Sequence, residues 1–449
     1  MRVTAIYLTF DGVDSFYCGV GALAQYYLCD LGMLRHELAP FGLELDLHIC
    51  YSRVGRDSPF FSDVIAARSR RLAAAAGASL HELDPGESTA NPFGTRSTWP
   101  ALCEAAVERV ERIARPDSFL LVLPNDTPFA GMLPMLAQSP RSRRRVVWLL
   151  QSTAKLWAHP EHLPLDAERV DWERSGIAAA ASTDDIFLGS TSDYMAAHLR
   201  SEWSVPDDIV VNYRQGISPD YLQRFFATTP VDHEKIAALI GDTRGRSILL
   251  SFGRAAWYKG LDLACNVAAE VAERGLMYPV ICAADYGTPD SQRVIESLRH
   301  TFGLEDDRGR ILTDFPFDLP KQVMRHPDLR VVLVPSRREN LSAIPSEARI
   351  LTAGSAVVVA SAVGGLTEQV EHGADGFLFD PEKPSSAAEI CTDISAAPRS
   401  CLESIAFAAR RRVMSDYVLG RNLARSVRST LGDCEEVSRN MRNELHLAP

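Results

Sequence analysis

The sequence predicts an α/β protein built from two similar halves, each a parallel sheet with helices on both faces. Apolar segments of strand length alternate with amphipathic segments of helical length along the whole chain, which is typical of strand–helix–strand units. This series restarts after about residue 215. A chain of 449 residues is also long for a single hydrophobic core. We therefore expect two parallel-sheet domains with a cleft between them.

In the first half, strands are predicted where apolar residues run together, and helices where they recur every three or four positions. The predicted strands are Val3–Thr9, Leu43–Cys50, Phe119–Leu123, Val146–Leu150, Ile186–Gly189 and Ile209–Val211. The predicted helices are Val20–Leu34, Ser62–Ala76, Trp99–Ala114 and Asp193–Trp203.

The same patterns recur in the second half of the chain. The predicted strands are Ser247–Gly253, Tyr278–Ala284, Arg310–Leu312, Val331–Pro335 and Ala356–Ala360. The predicted helices are Gly260–Glu273, Ser291–Phe302, Ser346–Ala353 and Leu366–Glu371. The last segments are charged and hold too few large apolar residues for another domain. We place the domains at 1–215 and 216–405, with C-terminal helices at 406–449 that cross back to the first domain.

Composition narrows the classes of partner. The formal net charge of −11 argues against a general binder of nucleic acid or anionic membranes. The dense basic run at 141–145 is interpreted as a solvated loop, with a phosphate or membrane patch as the alternative. No apolar run reaches the roughly 18 residues of a membrane span, and the N-terminus does not resemble a signal peptide. Nine scattered cysteines without a zinc-like spacing indicate a reducing, cytoplasmic location.

The segment 247–264 is a candidate phosphate-binding loop. A buried strand ends at Gly253, a short loop follows, and a helix starts near Gly260. Ligands of open α/β sheets bind at this kind of position, against a helix N-terminus. Arg254 can hold phosphate oxygens in a bidentate fork, and Lys259 adds a mobile charge. The segment fits equally well with a solvated arginine at a strand exit and a lysine at a helix start.

The segment 331–354 again runs from strand to loop to helix. Glu339 is placed on the loop, where a carboxylate can accept hydrogen bonds from sugar hydroxyls. Glu347 is placed near the helix start, where it can hold both hydroxyls of a ribose, and the backbone N–H groups of 340–342 remain available to a ligand. Alternatively, Glu347 complements the helix dipole and Glu339 is a surface charge.

Taken together, these motifs resemble glycosyltransferase family 4. The resemblance rests on Gly253-Arg254, Lys259-Gly260, Pro335-Ser336, Glu339 with Glu347 eight positions later, Gly364-Gly365 and the stretch from Gly373 to Pro381. Order and spacing agree over roughly 190–381, and more weakly over 1–30. The resemblance implies a retaining enzyme with the GT-B fold, in which two Rossmann-like domains face each other across a cleft.

The resemblance also implies roles for the matching residues. Arg254 and Lys259 correspond to the clamp on the donor diphosphate, Glu339 to the residue that faces the transferred sugar, and Glu347 to the residue that holds the ribose. Further donor-binding positions implied by it are Gly19, Val20, Gly21, Gly253, Asn340, Leu341 and Ser342.

One departure from the family pattern concerns the first domain. The family commonly carries a histidine after a strand resembling Val146–Leu150, where this chain has Gln151 and Ser152, and where His159 and His162 come too late. Gln151 or Ser152 is expected to take over its hydrogen bond. Asp126, on an unusual first-domain loop, is a candidate for orienting the acceptor.

The expected activity needs no cofactor and no metal, because two cations can neutralise the departing diphosphate and the chain has no Asp-x-Asp triplet. Asp314 or Asp318 could accept from guanine, which favours GDP slightly over UDP. The expected partners are a nucleotide-sugar and a small soluble acceptor, for example an antibiotic intermediate in a bacterium, and a homodimer is left open.

Three alternatives remain at this stage. A GT-B sugar-nucleotide epimerase or phosphorylase would keep the phosphate clamp, and so would a catalytically silent sugar-nucleotide-binding protein. Gly19-x-Gly21-x-x-Ala24 also fits the fingerprint of a NAD-dependent oxidoreductase. Against that last alternative, about ten residues separate the first strand from the glycines, where the fingerprint requires a tight turn.

Overall fold

Parallel strands form two separate sheets in residues 1–86, 91–139, 141–228, 230–302 and 308–445, the part of the chain that this computed structural model describes. The strands of the first sheet are β1 Arg2–Thr9, β2 Glu44–Ser52, β3 Ser79–Leu83, β4 Phe119–Pro124, β5 Arg144–Leu150, β6 Ile186–Ser190 and β7 Val210–Asn212. Those of the second are β8 Ser247–Arg254, β9 Met277–Ala284, β10 Arg310–Leu312, β11 Leu329–Val334, β12 Val357–Ser361 and β13 Phe377–Phe379.

Helices connect most consecutive strands, as parallel pairing requires. Up to residue 218 they are α1 Gly19–Leu38, α2 Asp63–Ala76, α3 Trp99–Ile113, α4 Met132–Ala137, α5 Ala154–Trp157, α6 Ala167–Ala181 and α7 Asp193–Trp203. Beyond it they are α8 Pro219–Leu222, α9 His233–Ile240, α10 Leu261–Glu273, α11 Pro289–Phe302, α12 Leu319–Val323, α13 Ala343–Leu351, α14 Leu366–Gln369, α15 Pro384–Ala396, α16 Arg399–Asp416 and α17 Leu419–Leu445. None of the helices in the described residues is long and apolar enough to span a membrane.

The chain divides into two compact units. Unit 1 consists of 1–156, 165–218 and 419–449, and unit 2 of 157–164 and 219–418. The last helix, α17, belongs to unit 1, where it packs against α1. Its first turn is fixed there by Asp30, whose carboxylate accepts from the backbone N–H of Gly420 at 2.8 Å and from the hydroxyl of Ser218. The helix before it, α16, packs on α13 in unit 2.

Each sheet has a point where the strand order reverses. The order in unit 1 is β3-β2-β1-β4-β5-β6-β7, and the order in unit 2 is β10-β9-β8-β11-β12-β13. The first strand of each unit therefore lies next to strands on both sides, with connections that leave in opposite directions. In open α/β sheets, the loops at the carboxyl ends of the two strands at this reversal diverge and leave a ligand-binding crevice. These loops follow β1 and β4 in unit 1, and β8 and β11 in unit 2.

Several short elements escaped prediction. Strand β3 is mostly polar at Ser79–Leu83, and β13 has only three residues, so neither produces a clear apolar run. Helix α6 is rich in alanine, which weakens its amphipathic pattern, and α15 was not predicted either. Most boundaries that were predicted differ from the observed ones by one to four residues, as helix and strand ends commonly do.

Candidate active site

Two loops of unit 2 follow the strands at its order reversal, and both carry predicted site residues. The first connects β8 to α10 and contains Arg254 and Lys259. The second connects β11 to α13 and contains Glu339. Because β8 and β11 are neighbours in the sheet, these loops leave the same edge side by side. We call the first the cation loop, counted from the last residue of β8 (254–260), and the second the glutamate loop (335–342).

The cation loop places its two basic residues at opposite ends of a short turn. Strand β8 extends one residue beyond the predicted end and includes Arg254, whose guanidinium lies 5.7 Å from the ring centroid of Tyr258 and 5.6 Å from that of Tyr286. A 3-10 turn then carries Lys259, and Gly260 ends it in the left-handed region with φ +63°. Gly253, at the end of the strand, is half-buried.

Close contacts fix the cation loop against the glutamate loop. A Cβ on Gly260 would lie 2.0 Å from the carbonyl oxygen of Pro335, so only glycine fits there. Arg337 donates to both carboxylate oxygens of Asp262 at 2.7 and 2.6 Å, and to the carbonyl of Trp257 at 3.1 Å. Such a bidentate pair fixes orientation as well as distance. The two loops therefore form one rigid surface.

Lys259 and Glu339 meet directly on this surface. The Lys259 Nζ atom lies 2.6 Å from Glu339 Oε2, which also accepts from the hydroxyl of Ser336 at 3.2 Å. Glu339 is 5% exposed, so the expectation of a surface carboxylate does not describe it. A buried carboxylate needs such partners, because desolvation without them is costly. The arrangement brings a cation and an acceptor group together at the crevice of unit 2.

The rest of the glutamate loop is fixed by the loop after β12. A Cβ on Gly365 would lie 1.5 Å from the carbonyl oxygen of Asn340, and the Gly365 N–H donates to the Glu339 carbonyl at 3.2 Å. The side-chain oxygen of Gln369 accepts a hydrogen bond from the Ser342 N–H at 3.2 Å, and its amide nitrogen donates to the Ser342 carbonyl at 2.7 Å. Gln369 thus takes up the Ser342 backbone N–H, which the sequence analysis left available for a ligand. Asn340, Leu341 and Ser342 are all buried.

Glu347 lies deeper in its helix than the sequence predicted. Ser342 caps α13 by accepting from the Ile344 N–H at 3.4 Å, so the helix begins at Ala343 rather than Ser346. Glu347 is therefore in the second turn, where it is 3% exposed and accepts from Lys321 at 3.1 Å. Lys321, which lies in α12, was not predicted as a site residue, because nothing in its local sequence indicates this buried pair. Its ammonium also lies 4.8 Å from the ring centroid of Phe226.

The carboxylate of Asp318 already has a hydrogen-bond partner in the helix that follows it. Asp318 precedes α12, and its carboxylate accepts from the Gln322 side-chain amide at 2.5 Å. The neighbouring acid Asp314 is exposed. Of the two carboxylates expected to accept from a guanine base, Asp318 is therefore engaged locally, and Asp314 is open to solvent.

In unit 1, the glycine-containing loop is organised by Asp11. Its buried carboxylate accepts from the N–H groups of Gly12, Tyr17 and Cys18 at 2.9 to 3.1 Å. A Cβ on Gly21 would lie 2.5 Å from this carboxylate, which explains why glycine is required there. Gly19 and Gly21 stand in the first turn of α1, and nine residues lie between the end of β1 and Gly19, so they do not form the tight turn of a dinucleotide fingerprint.

Gly19 and Val20 complete this part of unit 1. Gly19 opens α1, and no atom lies within 4 Å of a Cβ built on it, so packing does not require glycine at that position. Val20 is 9% exposed and belongs to the core. Of Gly19, Val20 and Gly21, only Gly19 is exposed to solvent.

The acceptor candidates of unit 1 lie together after β4 and β5. The Asp126 carboxylate accepts from the N–H and the hydroxyl of Ser152, both at 3.2 Å. Gln151 donates to the Asn125 side chain at 2.8 Å. Asp126 has a φ of 70°, in the left-handed region that non-glycine residues rarely occupy. Burial raises the pKa of its carboxyl group to about 6, although Arg169 opposes this shift.

Two charged residues that were not predicted lie beside Asp126 and Ser152. Arg169 donates to the hydroxyls of Ser152 and Thr127, each at 2.8 Å, and to the Glu173 carboxylate at 2.7 Å. Glu173 is fully buried and also accepts from the Thr127 hydroxyl at 2.7 Å. The two lie four positions apart on α6, a spacing that indicates a helical ion pair. That signal was lost because α6 itself was not predicted.

The comparisons with known proteins agree with this architecture. Residues 233–411 match the family model described as Glycosyl transferases group 1. D-inositol 3-phosphate glycosyltransferase from Xylanimonas cellulosilytica is 30% identical over 167 residues, which cover 37% of this chain and 38% of that protein. The chain therefore matches well under half the length of this relative.

Solved structures resemble the whole chain. Sucrose-phosphate synthase from Thermosynechococcus elongatus has a TM-score of 0.64 at 18% identity, with 99% of both chains covered. HepE from Anabaena, solved in complex with UDP, has a TM-score of 0.62 at 17% identity, covering 96% of this chain and all of that chain. The fold is GT-B, and residues 233–411 are similar to the group 1 glycosyltransferases.

The residues that match the group 1 glycosyltransferase model include both loops of the unit 2 crevice. The predicted GT-B fold and the predicted resemblance to glycosyltransferases are thereby confirmed, while the activity of the whole protein, the narrower assignment to family 4 and the roles of individual residues stay predictions. His159 and His162 fall in the segment 157–164, which belongs to the same unit. Their rings lie 4.3 and 4.8 Å from the ring of Trp257 in the cation loop.

Substituting Gly260 by alanine should destabilise the protein strongly. The left-handed backbone costs about 1 kcal/mol for alanine, and the clash with the Pro335 carbonyl should raise the loss to about 3 kcal/mol or more. Gly275→Ala is the matched control, because Gly275 has a φ of +67° but nothing within 4 Å of its Cβ position. Urea unfolding should give a loss of only about 1 kcal/mol for the control. Equal losses in both variants would contradict the contact between the loops.

The raised pKa of Asp126 predicts a pH dependence of stability. The folded state binds this proton more tightly than the unfolded state, whose Asp pKa is near 3.8, so stability falls as pH rises from about 4 to 6. Between pH 4.5 and 7, Asp126→Asn should lose about 2 kcal/mol less of its free energy of unfolding than the wild type. Asp171→Asn, at an exposed ion pair, should retain the wild-type profile. Parallel profiles for Asp126→Asn and the wild type would refute the shift.

Proposed function

We propose that this protein is a retaining, metal-independent glycosyltransferase that moves a sugar from a nucleotide-diphosphate donor to a small acceptor. The observation that carries this proposal is the contact between Lys259 and Glu339 at the strand-order reversal of unit 2. A diphosphate needs a cation, and a sugar needs a hydrogen-bond acceptor within a few ångströms of it. The match of residues 233–411 to the group 1 glycosyltransferase model supports the same function.

In the proposed reaction, the bond between the anomeric carbon and the diphosphate oxygen breaks, and the bonding electrons leave with the diphosphate. Lys259 and Arg254 stabilise the negative charge that develops there, as preorganised electrostatic catalysts do. The acceptor oxygen forms the new bond on the same face of the sugar. Its proton passes to an oxygen of the leaving diphosphate, so no separate base is required.

The ion pair of Lys259 suggests how the donor is engaged. In the structure Lys259 is bound to Glu339, which restricts its long side chain before any ligand arrives. We propose that the diphosphate attracts Lys259 while the sugar hydroxyls donate to Glu339, so that both partners remain satisfied in the complex. Metal independence is supported by these two cations and by the lack of any Asp-x-Asp triplet in the sequence.

For the nucleotide, we propose that Glu347 holds the ribose and that the donor is a UDP-sugar. Lys321 lies 3.1 Å from Glu347 and fixes the orientation of its carboxyl group, which suits an acceptor of two hydroxyl hydrogen bonds. The slight preference for GDP rested on Asp314 or Asp318, and Asp318 is engaged by Gln322. Structural neighbours solved with UDP, with UDP and glucose, and with UDP-2-fluoro glucose favour UDP instead.

For the acceptor, we propose a small molecule that contacts Asp126, Gln151 and Ser152 in a cytoplasmic enzyme. The Asp126 carboxylate is held by Ser152 and has a raised pKa, so it can accept from or donate to an acceptor hydroxyl near neutral pH. An intermediate of specialised metabolism remains one candidate. The name D-inositol 3-phosphate glycosyltransferase makes a phosphorylated polyol the second candidate to test.

Replacing Lys259 by alanine should lower turnover by about 10²–10³-fold while changing donor affinity much less, because its charge acts mainly as the diphosphate leaves. The assay follows sugar transfer from UDP-glucose to a panel of acceptors with EDTA present, in which wild-type turnover should persist. Lys235→Ala removes an exposed lysine of α9 and should behave like the wild type. Near-normal turnover in Lys259→Ala would overturn the assignment, and donor consumption without acceptor would favour an epimerase or phosphorylase.

Titration calorimetry should show that UDP binds at least about tenfold more tightly than GDP. Glu347→Gln should weaken UDP binding by about tenfold or more, because the ribose loses hydrogen bonds to a charged group. Glu389→Gln, an exposed position on α15, is the matched control and should leave UDP binding unchanged. Thermal unfolding checks that the variant folds despite losing the partner of Lys321. Preferential binding of GDP would contradict the proposed donor.

A further inference from the structure

Unit 1 contains a cavity of about 360 Å³ that the proposed reaction does not use. It lies between α17 and strands β5, β6 and β7 at the edge of the sheet. The residues that line it are Arg145, Phe187, Val211, Asn212, Arg214, Asn422, Arg425, Ser426, Ser429 and Thr430. Its volume falls within the usual range for small-molecule sites.

The side of this cavity formed by α17 is polar although it is buried. Asn422, Ser426 and Thr430 follow each other at intervals of four residues, so they share one face of the helix. Each is no more than 8% exposed. A helix that covers a sheet normally presents apolar residues to it. The hydroxyls of Ser426 and Thr430 donate to the carbonyls one turn earlier in α17, at 3.0 and 2.9 Å, so their oxygens present acceptor groups beside the cavity.

Three guanidinium groups surround this polar face. Among the described residues that line the cavity there is no Asp or Glu to balance them. Arg214 pairs with Asp193 outside the lining. Arg145 donates to the Arg144 carbonyl at 3.1 Å, and Arg425 donates to the Asn422 side chain at 3.5 Å, so neither has a carboxylate partner in the described structure. The cavity thus carries at least two uncompensated positive charges on a protein whose net charge is −11.

We propose that this cavity binds a phosphorylated small molecule, such as a sugar phosphate or a diphosphate. The guanidinium groups of Arg145 and Arg425 match the geometry of phosphate oxygens and can each donate two hydrogen bonds to them. Phe187 provides an apolar wall beside the guanidinium of Arg145, whose carbon lies 5.6 Å from the ring centroid. A concave cavity with a buried polar face suits a small ligand better than a flat lipid surface.

This site is separate from the residues proposed for the acceptor. Arg145 is near the amino end of β5, whereas Gln151 and Ser152 follow its carboxyl end. Arg145 and Gln151 are six positions apart along extended backbone, which places their Cα atoms about 20 Å apart. A ligand held by Arg145 therefore does not take part in the transfer. It would be an effector or an anchoring group, and this inference does not depend on the proposed reaction.

The test is calorimetric binding of inorganic pyrophosphate and glucose 6-phosphate to the full-length chain. A background variant, Arg254→Gln with Lys259→Gln, silences the proposed donor site so that only the second site is measured. Adding Arg145→Gln and Arg425→Gln should weaken the remaining binding by about tenfold or more. The control adds Arg112→Gln and Arg174→Gln, two exposed arginines of unit 1, and should keep the affinity of the background.

A second variant guards against loss of folding. Ser429 lines the cavity but is exposed, so Ser429→Trp should fill the space without disturbing the core, and binding should again be lost. Circular dichroism verifies that each variant is folded. Unchanged affinity in both cavity variants, or an equal loss in the control, would overturn the proposal. Binding to vesicles with anionic phosphatidylglycerol that requires Arg145 and Arg425, without binding of either phosphate, would overturn it in favour of a membrane patch.

Discussion

The close approach of Gly260 to Pro335 is the constraint on which the arrangement of unit 2 depends. Two strands at the strand-order reversal would otherwise let their loops diverge, because their helices leave toward opposite faces of the sheet. The glycine allows backbone to touch backbone, and Arg337 then fixes the contact by its bidentate pair with Asp262. Lys259 and Glu339 are held within hydrogen-bond distance as a result. The backbone contact between the two loops thus fixes the positions of the charged side chains at this crevice.

Electrostatic neutrality follows from this geometry. Each buried carboxylate of unit 2's crevice has its own lysine, Lys259 for Glu339 and Lys321 for Glu347. Paired charges of this kind are not a strong source of stability, because desolvation offsets much of their attraction. Their value lies in preorganisation, since a charge that is already oriented needs no rearrangement when the ligand's own charge develops. Unit 1 has a similar buried group of charges, in which Arg169 pairs with Glu173 and burial raises the pKa of Asp126.

Much of the fold could be predicted from the sequence, because long strands such as β1 and β8 are continuous apolar runs and their helices are amphipathic. The loops that carry Lys259 and Glu339 could be placed because each follows such a strand. Lys321 and Arg169 could not, since their importance comes from contacts with residues 26 and 17 positions away that no local pattern encodes. The burial of Glu339 was missed for the same reason. The helix start at Ala343 is different, because the Ser342 cap that sets it is a local signal of the sequence.

The segment 157–164 has a consequence for how the chain can be divided. It belongs to unit 2 by its contacts, although the residues on both sides of it belong to unit 1. Its histidines and Trp157 cover Trp257 and Tyr258, the aromatic pair of the cation loop. A fragment cut at residue 219 would therefore lack these rings and expose two large aromatic faces to water. Unit 2 is therefore not one continuous segment of the chain, and it could be transferred to another protein intact only together with the eight residues at 157–164, which are encoded upstream of part of unit 1.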